Sequence, residues 1–223
     1  DIKIKRDTIH VKSVEYEKKG NVGVLTINKF QNNTSGELKF AIIKAHKQGV
    51  RNIVLDLRNN PGGLLEEAVK MANIFIDKGK TVVQLEKGDD KEQLKTSNDS
   101  LNQAKDMKIS ILVNEGSASA SEVFTGALKD YHKAKVYGSK TFGKGIVQTT
   151  REFDDGSLIK YTEMKWLTPD GHYIHGKGIK PDVTIATPKY QSLNVIPNNK
   201  TYKEGDSNKN VKTMKIGFNA IGY

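Results

Sequence analysis

Cysteine is absent from the 223-residue chain. That excludes disulfides, thiolate metal sites and cysteine nucleophiles, but leaves the compartment open, since many exported bacterial proteins also do without it. Proline is scarce, at five residues. No apolar run approaches the roughly 20 residues that span a bilayer, and the amino terminus has no signal-peptide layout. The five histidines, at 10, 46, 132, 172 and 175, form no H-E-x-x-H pair, so no metal site is expected. What remains is a 36% hydrophobic chain, long enough to bury a core as one large or two smaller domains.

The net charge is +10, which raises the question of a nucleic-acid partner. The lysines are scattered along the chain, however, and no aromatic-interleaved RNA motif accompanies them. A solvated basic surface facing an anionic wall or membrane fits this pattern, and nucleic-acid binding is not expected.

The order of elements predicts an α/β fold. "NVGVLTIN" (21–28) reads as a strand, "SGELKFAIIKAHKQG" (35–49) as a helix with a glycine stop, and "NIVLDL" (52–57) as a buried strand, together a β-α-β unit. "LLEEAVKMANIFIDKG" (64–79) puts Val69, Ala72 and Ile76 on one helical face, and "TVVQLE" and "KISILV" read as strands. The polar stretch 87–100 reads as a hairpin tip or loop. A helix is predicted over 119–131, followed by β-structure with glycine turns in "KVYGSKTFGKGIVQTTREF" and "SLIKYTEMKWLTPDG", and a polar, proline-punctuated linker from about 186.

Between the strand "ISILVN" and that helix lies "GSASASEVFT" (116–125), three serines alternating with alanines. One hydroxyl there can sit beside the free amides of a helix amino terminus, where an acyl-transfer nucleophile gains most. The amide after it can donate to a developing oxyanion, with a second donor from the glycine-rich "RNNPGG" (58–63). Taken alone, the pattern favours Ser117 or Ser119 as a plain helix cap, since serine so often caps helices. A nucleophilic serine also needs a base. Asp130 and His132 lie about 16 Å further along the helix from Ser119, beyond direct reach. Lys144, flanked by Gly143 and Gly145 and followed by Ile146 and Val147, is the other choice, because a lysine pressed into an apolar site loses proton affinity and can act as a base.

"LDLRNNPGG", "NEGSASASE" and "GSKTFGKGIVQ", in that order, together with the "GKGIKPDVTI" ending (176–185), resemble the carboxyl-terminal processing proteases over residues 11 to 187. These are serine endopeptidases with a Ser-Lys catalytic pair and a core of β-β-α units related to crotonases and Clp proteases, here with an additional β-rich segment. The resemblance implies Ser119 as nucleophile, Lys144 as base and Gln148 as the residue that positions it. Period-two alternation on a strand would put Lys144 and Gln148 on one face. It further implies Ala120 and the Gly62-Gly63 pair as oxyanion donors, with either glycine able to serve, and a supporting place for Asp130. Ser117 and Ser121 are left as structural neighbours. No metal or organic cofactor is called for.

By the same resemblance the chain is similar to a Gram-positive, cell-wall-facing member that is membrane-anchored or wall-associated when full length. Its substrates would be proteins or peptides with apolar carboxyl termini, and its full-length form a possible dimer. Members normally carry a PDZ domain before the core, and residues 1–20 resemble the segment that leaves it. Residues 21–187 form the expected catalytic core and 188–203 a linker. The stretch 204–223 resembles the opening helix of a peptidoglycan-binding module, making peptidoglycan a further expected partner. A crotonase-type acyl-CoA enzyme and a catalytically silent wall-binding protein are the alternative readings.

Overall fold

In Val22–Ile27 (β2) every second residue, Gly23, Leu25 and Ile27, is buried, the pattern of a strand with one face on a core. The chain then forms the helix Thr34–Lys47 (α1), which buries Leu38, Ala41, Ile42 and Ala45, and returns as Asn52–Asp56 (β3), parallel to β2 from Val22↔Asn52 to Thr26↔Asp56. The computed structural model describes residues 11–185, 196 and 201–220. The same parallel step recurs with Lys108–Val113 (β6) and Ala134–Gly138 (β7), so that Ile53, Ile109 and Ala134 lie in one row across the sheet.

A short strand, Val183–Thr184 (β10), adds to the far side of β7. At the other side Val14–Lys19 (β1) turns back on β2 as an antiparallel hairpin. Residues 14–19, which the sequence puts in a leading segment, thus pair with the main sheet, whose order is β1-β2-β3-β6-β7-β10. Residues 1–10 and most of the expected linker at 188–203 lie outside the described residues.

The helix expected over 64–79 is shorter, Leu65–Ala72 (α2). Asn73 ends it, because its side-chain oxygen accepts the amides of Ser97 and Asn98 and holds a loop against the helix end. The polar stretch 87–100 contains a strand, Asp90–Lys95 (β5), paired with Thr81–Lys87 (β4). Outside Leu94 it is fully exposed, so it carries no alternation for a sequence to reveal. A short helix, Asn102–Lys105 (α3), leads into β6.

After Ala120–Asp130 (α4) and β7, a long hairpin of Ile146–Glu152 (β8) and Leu158–Leu167 (β9) joins β4 and β5 in a second, antiparallel sheet of order β5-β4-β9-β8. Helices α2 and α4 pack together, and Phe124 meets Phe30 edge-on at 6.2 Å and Phe75 at 6.1 Å. Both contacts lie in the range of favourable aromatic pairs.

The carboxyl-terminal unit, from Ile185, contains the helix Lys209–Ala220 (α5). The Asn208 side chain caps it by accepting the amides of Asn210 and Val211. Among the described residues no helix is long and apolar enough to cross a membrane.

Candidate active site

The three alternating serines separate by the direction they face. Ser117 is fully buried, donates its hydroxyl to the Leu57 carbonyl at 2.7 Å and accepts the Asn114 amide at 3.0 Å. Ser121, also fully buried, donates to the Asn60 carbonyl at 3.0 Å. Both therefore stitch the strand-to-helix turn to the segment after β3. Ser119 lies between them on the opposite side, half-buried, and lines a cleft of about 280 Å³ with Lys144, Gln148, Gly63 and Ala120.

Ser119 has φ 56° and ψ −118°, a left-handed backbone that costs a non-glycine residue roughly 1–3 kcal/mol and persists only when its surroundings enforce it. A serine on a strained turn between a strand and a helix is the arrangement that exposes a nucleophilic hydroxyl above a sheet. The enforcing group is Glu122. Its buried carboxylate accepts the Ser119 amide at 2.9 Å and the Lys144 amide at 2.8 Å on Oε2. Its Oε1 accepts the Thr141 hydroxyl at 2.6 Å and the Gly143 amide at 2.7 Å. One side chain thus ties the serine turn to the lysine loop. Glu122 is not among the residues expected from the sequence, although the S-x-x-E spacing of Ser119 and Glu122 carries the signature of a capping box.

Lys144 lies in the loop before β8, not on the strand, so strand alternation is not what joins it to Gln148. A bulge also shifts the pairing between Val147 and Gln148. The two share the cleft because the loop is pinned: besides Glu122, the Trp166 indole donates to the Lys144 carbonyl at 2.9 Å and the Trp166 amide to the Gly145 carbonyl at 3.0 Å. The Lys144 side chain is half-buried. Among the described residues it enters no ion pair.

The glycine pair occupies two different positions. Gly62 has φ 94°, and a Cβ there would stand 2.6 Å from the Ala118 carbonyl and 2.8 Å from the Ala120 nitrogen, so only glycine lets this loop lie against the serine turn. The Gly62 amide is already used, donating to the Asn60 side chain at 2.9 Å. Gly63 bridges to Phe30 through its neighbours, with the Gly62 carbonyl accepting the Phe30 amide and the Leu64 amide donating to the Phe30 carbonyl. That leaves the Gly63 amide outside the bridge, on the residue that lines the cleft. Asn60, fully buried, fixes both loops: its Nδ2 donates to the Ile27 carbonyl at 2.6 Å and its own carbonyl accepts the Ala118 amide.

Asp130 is elsewhere. It lines a separate cavity with His132, Asp170, His172 and Asp182 and accepts the Asp170 amide at 2.9 Å, so it braces a turn at the far end of α4. The Asp182 carboxyl there is subject to burial, which opposes ionisation, but hydrogen bonds from Lys129 and the Val136 amide outweigh this and hold it below the ordinary carboxylate range. Nearer the cleft, Arg58 is held above its usual value by its hydrogen bonds to Asp56, which brace the start of the glycine loop. No cluster of three or more metal-ligating side chains occurs among the described residues.

The profile of peptidase family S41 matches residues 21–185. Over its full length the chain is 88% identical to a protein of Staphylococcus epidermidis described as "Probable CtpA-like serine protease", and 82% identical to one of the same description from Staphylococcus aureus. It spans 45% of the length of each. Among solved structures, a photosystem II D1 C-terminal processing protease superposes with a TM-score of 0.71 at 32% identity, over 81% of this chain and 50% of that one. A lipoprotein from Streptococcus agalactiae shares the fold at 20% identity, with a TM-score of 0.61 over 80% of this chain and 67% of that one.

Proposed function

Because the chain belongs to peptidase family S41, we propose that it is the catalytic part of a serine endopeptidase that cuts extracytoplasmic proteins near their carboxyl termini by a Ser-Lys mechanism. The observation that carries this reading is the strained Ser119 turn opening onto the same cleft as Lys144, whose amine has no carboxylate partner among the described residues. A carboxylate against that amine would hold the proton it has to accept.

The neutral Lys144 amine takes the Ser119 hydroxyl proton as Oγ bonds to the scissile carbonyl carbon. The electron pair moves to the carbonyl oxygen, which the Gly63 and Ala120 amides receive. The tetrahedral adduct collapses, the C–N bond breaks, and the departing amine takes the proton back from Lys144. This leaves an ester on Ser119. Water, giving its proton to Lys144, then hydrolyses the ester, and the proton returns to Ser119. Gln148 orients the amine, and Glu122 fixes the serine and lysine backbones on one carboxylate.

Apolar walls from Leu64, Val123 and Val147 favour small or apolar side chains beside the cut. The basic surface suits work at an anionic cell envelope. In the full-length protein a PDZ domain would present substrate tails, and 204–223 would open a peptidoglycan-binding module. Incubation with casein and labelling by a fluorophosphonate probe test the reading together: wild type cleaves and is labelled at Ser119, whereas Ser119→Ala does neither. Labelling without turnover would instead point to a binding protein.

A further inference from the structure

A second lysine lines the cleft. Lys160 is on β9 opposite Thr150 of β8. Thr150 is two residues beyond Gln148, so Lys160 shares the hairpin face of Gln148, about 7 Å further along it. Lys144 reaches the cleft from the loop end of the hairpin and Lys160 from its outer part.

The mechanism needs one amine as base and has no use for another. On the same sheet three lysines are matched to acids, Lys87 to Glu163, and Lys91 and Lys165 to Glu86, while Lys95 on β5 has no ion pair among the described residues and lies outside the cleft. Lys160 has no such partner among the described residues, and no acidic residue lines the cleft. The remaining wall is largely apolar, so an anion entering the cleft would meet a single cation at its outer part, over a surface of leucine and valine.

We infer that Lys160 is a carboxylate receptor in the substrate cleft, pairing with an acidic group of the bound peptide while apolar side chains fill the wall beside Ser119. The inference rests on the protease reading for the identity of the ligand as a peptide. The carboxylate has two sources, the terminal α-carboxylate of a substrate cut close to its end, or an Asp or Glu side chain. A lysine that merely lays its stem over the apolar rim of an exposed hairpin and points its charge into water is the competing structural role.

The test is read by binding, so that it does not depend on turnover. Fluorescently labelled peptides of one apolar sequence, with free-acid or amidated carboxyl termini and one to four residues after the intended cut, are titrated against the Ser119→Ala chain and the Ser119→Ala/Lys160→Met chain. A parallel set, all amidated, carries Asp or Asn at each of those positions. The free acid, or the Asp peptide, is expected to bind about tenfold more tightly than its neutral counterpart at one position, as a charge-assisted contact predicts. The advantage should shrink in high salt and vanish in Lys160→Met. An advantage confined to the free acids identifies the terminus, and one confined to the Asp peptides identifies a side chain. Either supports the receptor.

In the catalytically intact chain, Lys160→Met should raise KM for the acidic peptide and leave kcat unchanged, because the contact is made equally in ground and transition states. The inference is overturned if acid and neutral peptides bind alike in the Ser119→Ala chain, or if their ratio is the same with and without Lys160. Failure of the protease reading would show separately, as an intact chain that cleaves none of the peptides.

Discussion

The amides of Ser119 and Lys144 donate to the same oxygen, Glu122 Oε2, at 2.9 and 2.8 Å. Two loops that approach the cleft from different sheets thereby share one acceptor, and the spacing of the reacting side chains inherits the rigidity of that contact. Glu122→Gln keeps the volume but replaces one acceptor oxygen by a donor that faces N–H groups. Activity is expected to fall by about a hundredfold or more, with a stability loss of roughly 1–3 kcal/mol. Peptide cleavage and urea unfolding of the same preparation check it. A variant with normal kcat/KM would show that the shared acceptor does not set the geometry.

The serines are expected to part into two classes. Ser119→Ala abolishes cleavage and leaves the fold intact. Ser117→Ala keeps measurable cleavage but loses about 1–3 kcal/mol, because the half-buried Asn114 amide loses its acceptor and the Leu57 carbonyl keeps only the Asn60 amide. Ser119→Gly supplies a third reading: it is inactive, yet more stable than Ser119→Ala by about 1 kcal/mol, since glycine accepts φ 56° without strain. Equal thermal midpoints for the alanine and glycine variants would mean that the turn stores no strain.

Cleavage of a fluorogenic peptide is expected to depend on the Lys144 amine, which lines the cleft with Ser119. Lys144→Ala and Lys144→Arg both lose nearly all turnover, as a guanidinium keeps its proton. Gln148→Ala loses less, since it only orients the amine. An active Lys144→Arg chain would refute the Ser-Lys pair. His132 and His172 would be poor substitutes, since they line the cavity of Asp130 and not the cleft.

Acid is expected to weaken the fold partly through Glu67. Burial raises its pKa, but the Ser35 amide and Lys70 outweigh that and hold the carboxyl below its ordinary range. A carboxyl depressed in the folded state contributes stability above its unfolded pKa near 4.5, and the contribution is lost as the pH falls through the folded value. Glu67→Gln should therefore lower stability at pH 7 and flatten the decline towards pH 3. The check is urea unfolding across that range. Parallel curves for the two proteins would contradict it.

Elements that bury one face were legible in the sequence. β2, β3, β6 and α1 match their expected spans within two residues, because alternation or helical spacing records a buried side. β5 was not, since apart from Leu94 it has no buried face, and its pairing with β4 leaves no mark in its composition. The residues that meet in the cleft, Ser119, Lys144 and Gln148, are placed by family resemblance, since spacing alone favours a helix cap over a nucleophile. Glu122 does not stand out in the sequence because a glutamate in the first turn of a helix is commonplace, and the approach of the 141–144 loop, which gives it three of its four donors, is visible only in three dimensions. The two glycines became distinguishable once the Asn60 side chain was seen to occupy one amide.

The Trp166 contact makes the position of the Lys144 loop depend on a strand pairing far away in the sequence. The serine turn follows β6 directly and is tied to the segment just after β3. Trp166 is held by the pairing of β9 with β4, about eighty positions earlier in the chain. Contacts between distant segments carry the larger loop-closure cost and form slowly. Loosening β9 from β4 would therefore free the Lys144 loop while the serine turn stays held by its own contacts to Leu57 and Asn60.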